Sequence, residues 1–181
     1  MDATHHTDDA AGDVLPWQRD IHAAFGDAGV RQTAFVPDAG LTGLIRLCEE
    51  DAAIEATVLT NEAEGIGLLA GAWLGGQRGA LLMQSSGVGN CVNALGLART
   101  CRFPLLMVIT MRGEWQEFNP WQVPMGQAAQ SVLETMGTIV TRADDPADAG
   151  ALVASAATMA FEGGGQAAVL ISQRLIGAKT W

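Results

Sequence analysis

The chain of 181 residues contains no tyrosine, a single lysine (Lys179), and three histidines (His5, His6 and His22), all before residue 23. Each shortage removes a class of chemistry. From residue 23 onward no Ser-His-Asp or Cys-His set can be assembled and no histidine metal site can form. Acid-base work there falls to carboxylates or to a cofactor that brings its own titrating groups. The scarcity of cations, with a formal charge of −10, disfavours a phosphate backbone as partner, so nucleic acid is not expected. The cysteines Cys48, Cys91 and Cys101 show no CxxC spacing and sit in apolar segments, which predicts reduced core thiols. Long hydrophobic runs are missing too. Pro104 to Thr110 falls far short of the roughly 20 residues of a membrane span, and the acidic opening is unlike a signal peptide, so a soluble, cytoplasmic protein without membrane association is expected.

What is present is an alternation of short apolar runs with helical patterns. Residues 1 to 13, "MDATHHTDDAAGD", carry no periodicity and are expected to be a disordered tail before a single domain over 14 to 181. Strands are predicted at 33–37, 56–60, 80–84, 105–110, 138–141 and 167–172. Helices are predicted at 16–29, 41–50, 62–75, about 90–102, up to Met136 after a long loop (111–126), and 146–161. Continuously apolar strands alternating with helices imply an α/β, doubly wound, mostly parallel sheet of six strands with helices on both faces. Ligands of such sheets lie beyond the carboxyl ends of the strands, here "VPDAG", "LTNEAEG", "QSSGVGN" and "TMRGEW".

"SSGVGNCVNAL" (85–95) stands where a nucleotide loop would, yet GxGxxG would require glycine at Val92 and a P-loop a lysine. It reads either as a tight turn or as a place where Gly87 and Gly89 admit a ligand, with Asn90 capping the next helix. Gly26-Asp27 is assigned to a helix end closed by Gly29. The acidic pair Glu62 and Glu64 separates by helical angle. Ile66, Leu69 and Trp73 fall within roughly 40° of Glu62, whereas Glu64 lies about 200° away. Glu64 has capping-box spacing from Asn61, its carboxylate reaching back to the Asn61 amide. Glu62 heads an apolar stripe, either as a carboxylate favoured by the helix N-terminus or as a buried functional one.

Three segments, "TNEAEGIGLLAGAWLGG", "ALLMQSSGVGNCVNAL" and "PLLMVITMRG", in this order and spacing, resemble the pyrimidine-binding (PYR) domain of thiamine diphosphate enzymes. The likeness is greatest to the alpha subunit of sulfopyruvate decarboxylase and the matching half of phosphonopyruvate decarboxylase, and covers about residues 17 to 176. In that family a glutamate nine residues before a Gly-Ala/Tyr-Tyr/Trp element hydrogen-bonds the cofactor's aminopyrimidine. Gly71-Ala72-Trp73 places it at Glu62. The resemblance implies non-oxidative decarboxylation of a 2-oxo acid, with Glu62 as the catalytic residue. It further implies cofactor contacts from Pro37, Glu62, Gln84, Ser85, Ser86, Gly87 and Asn90. Asp38, Arg112 and Gln122 become candidates to meet the substrate, Arg112 being equally readable as a solvated loop arginine.

The family binds diphosphate and Mg2+ through a second, PP domain with a Gly-Asp-Gly element, which is lacking here. The expectation is an alpha subunit active only with a PP-domain beta subunit, in an α2β2 or larger hetero-oligomer, and no metal ligand of its own. The aromatic loop "GEWQEFNPWQ" (113–122) would pack against that partner or enclose a less polar 2-oxo acid. Two alternatives are a carboligase or lyase subunit using the same cofactor and a non-catalytic α/β partner-binding module.

Overall fold

In the computed structural model, which describes residues 14–177, the apolar runs form one sheet whose strands all run parallel. In chain order the elements are α1 (Pro16–Asp27), β1 (Val30–Phe35), α2 (Thr42–Glu50), β2 (Glu55–Val58), α3 (Glu62–Leu74), β3 (Arg78–Gln84), α4 (Ser85–Cys101), β4 (Leu105–Thr110), α5 (Val123–Thr135), β5 (Ile139–Ala143), α6 (Ala149–Phe161), β6 (Gln166–Ile171) and a one-turn α7 (Gln173–Ile176). The strand order is β2-β1-β3-β4-β6-β5. The expected doubly wound, six-stranded α/β sheet is therefore observed. The tail expected over residues 1 to 13 lies outside the described residues.

The core forms two layers. On one face α1, α2 and α6 cover the sheet through Ile21, Phe25, Leu44, Val153 and Phe161. On the other, α3, α4 and α5 do so through Ile66, Leu69, Val88, Leu95 and Leu133. Both faces of β4 and β6 are wholly buried, which is why these strands read as unbroken apolar runs. The edge strands depart from that pattern: Glu55 and Val58 of β2 and Ile139 of β5 are exposed, since an edge has one flank without a covering neighbour.

Other departures concern boundaries. β1 begins at Val30 and its pairing stops at Phe35, before Pro37, which has no N–H to give a ladder. α4 starts at Ser85, directly on the end of β3, so Gly87, Gly89 and Asn90 lie inside a helix; there is no turn at 85–90 and Asn90 is not its cap. Local turn chemistry is overridden by tertiary packing of the α4 face. α5 begins at Val123 after a 3-10 turn at Pro120–Gln122, shortening the expected loop. Pro124 is tolerated in the first helical turn, where backbone N–H groups lack intrahelical partners. Cys48 and Cys91 are buried as expected, but Cys101, the last residue of α4, is exposed. Among the described residues no helix is long and apolar enough to cross a membrane.

Candidate functional site

The parallel sheet brings the carboxyl ends of β1, β2, β3 and β4 to one rim. There the chain presents Asp38, Glu62, Gln84 to Asn90, and Arg112. These candidates from sequence thus fall on one edge of the molecule, in two adjoining groups.

The first group surrounds Glu62. Asn61 caps α3 by accepting from the Ala63 amide at 2.9 Å. Glu64, exposed on the outer side, accepts from the Thr60 hydroxyl (2.7 Å) and amide (3.1 Å), one residue before the cap, and its carboxyl is held below the usual range by these bonds. Glu62 turns inward and is 8% exposed. Asn90, from the second turn of α4, donates its Nδ2 to Glu62 Oε2 at 2.8 Å. Gly87 leaves the carboxylate its space: a Cβ there would stand 2.5 Å from Glu62 Oε1 and 2.6 Å from its Cδ. Cys91 packs behind, its thiol pushed up to about 12 by burial and secondarily by the charge of Glu62, so it is no nucleophile. A cavity of about 690 Å³ opens beside Asn90 and Ser86 and is walled by Pro120, Trp121, Pro124 and Met125.

The second group surrounds Asp38. Gln84 and Thr110 are paired in register at the ends of β3 and β4, so their side chains reach the same point. Gln84 Nε2 donates to Asp38 Oδ1 (2.8 Å) and Thr110 Oγ1 to Asp38 Oδ2 (2.6 Å). Ser86, on the wall of the large cavity, donates its hydroxyl to Gln84 Oε1 at 2.9 Å, joining the two groups. A smaller cleft of about 140 Å³ has Asp38, Gly40, Arg112 and Ile176 in its walls.

Arg112 is not a solvated loop residue. Its side chain is 5% exposed, and Nε and Nη2 each donate at 2.6 Å to the carboxylate of Glu117, itself 3% exposed. The guanidinium holds Glu117 far below the ordinary carboxylate value, at about 2. Glu117 also accepts from the amides of Gly113 and Asn119 and from Gln173 Nε2. Gln173 Oε1 in turn accepts from the amides of Glu114 and Trp115. Ser85 is buried and accepts from the Arg112 amide. Pro37 is exposed at the rim. Gln122, in the 3-10 turn, has a buried Oε1 with no partner among the described residues and enters the wall of neither cleft.

Sequence reasoning missed Thr110, Glu117, Gln173 and Met125. Thr110 and Gln173 carry a signal that was there to use: each is a polar residue at or just beyond the end of a buried strand. Glu117 carried none, because its partners are set by how the loop folds back.

No family model matches the chain. It is 41% identical over 117 residues to the sulfopyruvate decarboxylase subunit alpha of Methanococcus maripaludis, a match spanning 64% of this chain and 70% of that one. It is 35% identical over 143 residues to the subunit of the same name from Methanocaldococcus jannaschii, spanning 78% of this chain and 85% of that one. Among solved structures, a 2-oxoglutarate:ferredoxin oxidoreductase from Magnetococcus marinus superimposes with a TM-score of 0.75 at 16% identity, over 90% of this chain and 29% of that chain, a likeness of fold.

Proposed function

Because the chain belongs to the family of sulfopyruvate decarboxylase alpha subunits, we propose that it is the PYR-type alpha subunit of a thiamine diphosphate-dependent 2-oxo acid decarboxylase. The observation that carries the reading is the setting of Glu62: a buried carboxylate at a helix start, spared by Gly87 and gripped by Asn90, which itself lines a cavity large enough for an aromatic ring. These residues fit an aminopyrimidine, a flat ring with a nitrogen for the carboxyl group to hold and apolar faces for Met125 and the prolines to cover.

When bound, the cofactor supplies the electron sink that loss of carbon dioxide from a 2-oxo acid requires. The chain supplies position and a proton-exchanging group. Glu62 would hold a pyrimidine nitrogen through its carboxyl group, one oxygen of which the Asn90 amide already fixes against rotation. Burial behind α3 and α4 keeps competing water from that bond. Pro37, Gln84 and Ser86 are assigned to the rim around the ring, with Ser85 and Gly87 buried behind it, and Asp38 and Arg112, which share a cleft, are assigned to the 2-oxo acid; Gln122, in the wall of neither cleft, is not. Diphosphate and Mg2+ are assigned to a beta subunit with a PP domain, docked over this rim in a cytoplasmic hetero-oligomer. The exposed Trp121, at 84%, is suited to meet it.

In the reconstituted complex, Glu62→Gln is expected to lower carbon dioxide release from a panel of 2-oxo acids about a hundredfold or more with assembly intact. Wild-type turnover in that variant would overturn the reading.

A further inference from the structure

The clasp around Arg112 holds one wall of the cleft that contains Asp38. Its members come from separate places in the chain. Arg112 leaves the end of β4, Glu117 lies in the loop that follows, and Gln173 starts α7 beyond β6. Gln173 is 2% exposed and spends both ends of its amide on this loop: Oε1 accepts from the Glu114 and Trp115 amides at 2.9 and 3.0 Å, and Nε2 donates to Glu117 Oε2 at 2.9 Å. Glu114 is gripped from the other side by both Nη atoms of Arg142 on β5. The loop 113–117 is thereby tied to the ends of β5 and β6 as well as to β4.

The consequence for Arg112 is orientation. A lone guanidinium at a strand end samples many rotamers, whereas a bidentate partner in a fixed place selects one. Glu117 takes Nε and Nη2, and no described residue accepts from Nη1. Arg112 remains a wall of the cleft shared with Asp38 and Gly40. The residue that fixes Glu117 from beyond the loop is Gln173.

We infer that Gln173 is a positioning residue for substrate binding, acting through Glu117 to hold Arg112 against the Asp38 cleft, where its free N–H edge receives an anionic group of the 2-oxo acid. This rests on the decarboxylase reading above. It extends that reading to a residue in α7, outside every strand end singled out from sequence.

The test is a double-mutant cycle on the reconstituted, cofactor-loaded complex, scored by KM and kcat for the best 2-oxo acid of a panel including sulfopyruvate, phosphonopyruvate and pyruvate. Gln173→Ala is expected to raise KM about tenfold with kcat within about twofold, and Arg112→Ala to raise KM at least as much. In the Arg112→Ala background, Gln173→Ala should add nothing, because a residue acting only through Arg112 has no effect once Arg112 is gone. Gln173→Glu keeps the acceptor for the Glu114 and Trp115 amides but sets a like charge against Glu117, and should reproduce the KM rise without loss of the loop. Arg112→Lys, which keeps the charge and loses the fork, serves as the second corner of the cycle where Arg112→Ala does not fold. Thiamine diphosphate affinity, read by calorimetry on the complex, should not move. Additive effects, an unchanged KM, or a fall in cofactor affinity instead of KM would each overturn the inference while leaving the decarboxylase standing. A wild-type complex that releases no carbon dioxide from any 2-oxo acid would overturn both.

Discussion

Gly87 shows how much of this site depends on one missing methyl group. The helix containing it would gain about 1 kcal/mol from alanine on propensity alone. The added Cβ would instead meet the Glu62 carboxyl at 2.5 Å, and a carboxylate pinned by Asn90 has little room to yield. Gly87→Ala is therefore expected to destabilise the subunit by about 1–3 kcal/mol as overpacking and to abolish turnover. Gly67, in the middle of α3 with no atom within 4 Å of an added Cβ, is the matched control. Gly67→Ala should raise stability by about 0.5–1 kcal/mol. Thermal unfolding of both variants, with carbon dioxide release from the complex, checks the pair. The division of labour between Glu62 and Glu64 was legible from helical angle alone, because a single helix with a clear apolar stripe fixes which way each side chain points. The Glu64 cap differs only in its partner, Thr60 in place of the Asn61 amide.

At the scale of elements, the loop after β4 behaves as a built structure held by a buried ion pair. Its charge makes an acid signature. The folded-state value for Glu117 is lowered from an ordinary 4.5 to about 2, so the stabilisation it provides is fully present above pH 4.5 or so and is lost as pH falls toward 2. Glu117→Gln leaves Arg112 buried without its counter-charge and is expected to cost about 3 kcal/mol at neutral pH. That deficit should stay constant from pH 7 to about 5 and then shrink as pH drops, which denaturant unfolding at a series of pH values measures. A deficit independent of pH down to 2.5 would contradict the pairing. None of this was legible in sequence, since Gln173 and Glu117 meet across 56 positions through tertiary folding. The start of α4 was misjudged for the opposite reason. Two serines and two glycines within Ser85–Gly89 look locally like a turn, and only the α3 neighbour explains why Gly87 belongs inside a helix.

For the molecule as a whole, the apolar strand pattern was enough to foresee a parallel sheet with helices on both faces, because β3, β4 and β6 carry polar residues only at their ends and are apolar throughout their interiors. The order β2-β1-β3-β4-β6-β5 was not foreseen, since pattern alone does not say which strands become neighbours. That order puts the ends of β1, β3 and β4 side by side and so makes Asp38, Gln84 and Thr110 one cluster. The same rim carries Trp121, which is 84% exposed and set in a wall of proline and methionine. Trp121→Ser is expected to leave the subunit's stability within about 0.5 kcal/mol. It should weaken binding to the beta subunit by about 2 kcal/mol or more, some thirtyfold in Kd, by titration of one subunit with the other.

The bond joining the two groups has a direction. Ser86 donates to Gln84, and Gln84 donates to Asp38, whose other oxygen accepts from Thr110. The donors from Ser86 and Gln84 both point from the cavity beside Asn90 toward the cleft beside Arg112, and that of Thr110 meets them at Asp38. An amide whose oxygen is pulled upon becomes a better donor at its nitrogen, so a change in hydrogen bonding at Ser86 is transmitted to Asp38 with its sign preserved. Gln84 is in that sense a wire that conducts both ways: what binds at either end of the rim alters the hydrogen bonding available at the other by the same free energy, with no atom required to move.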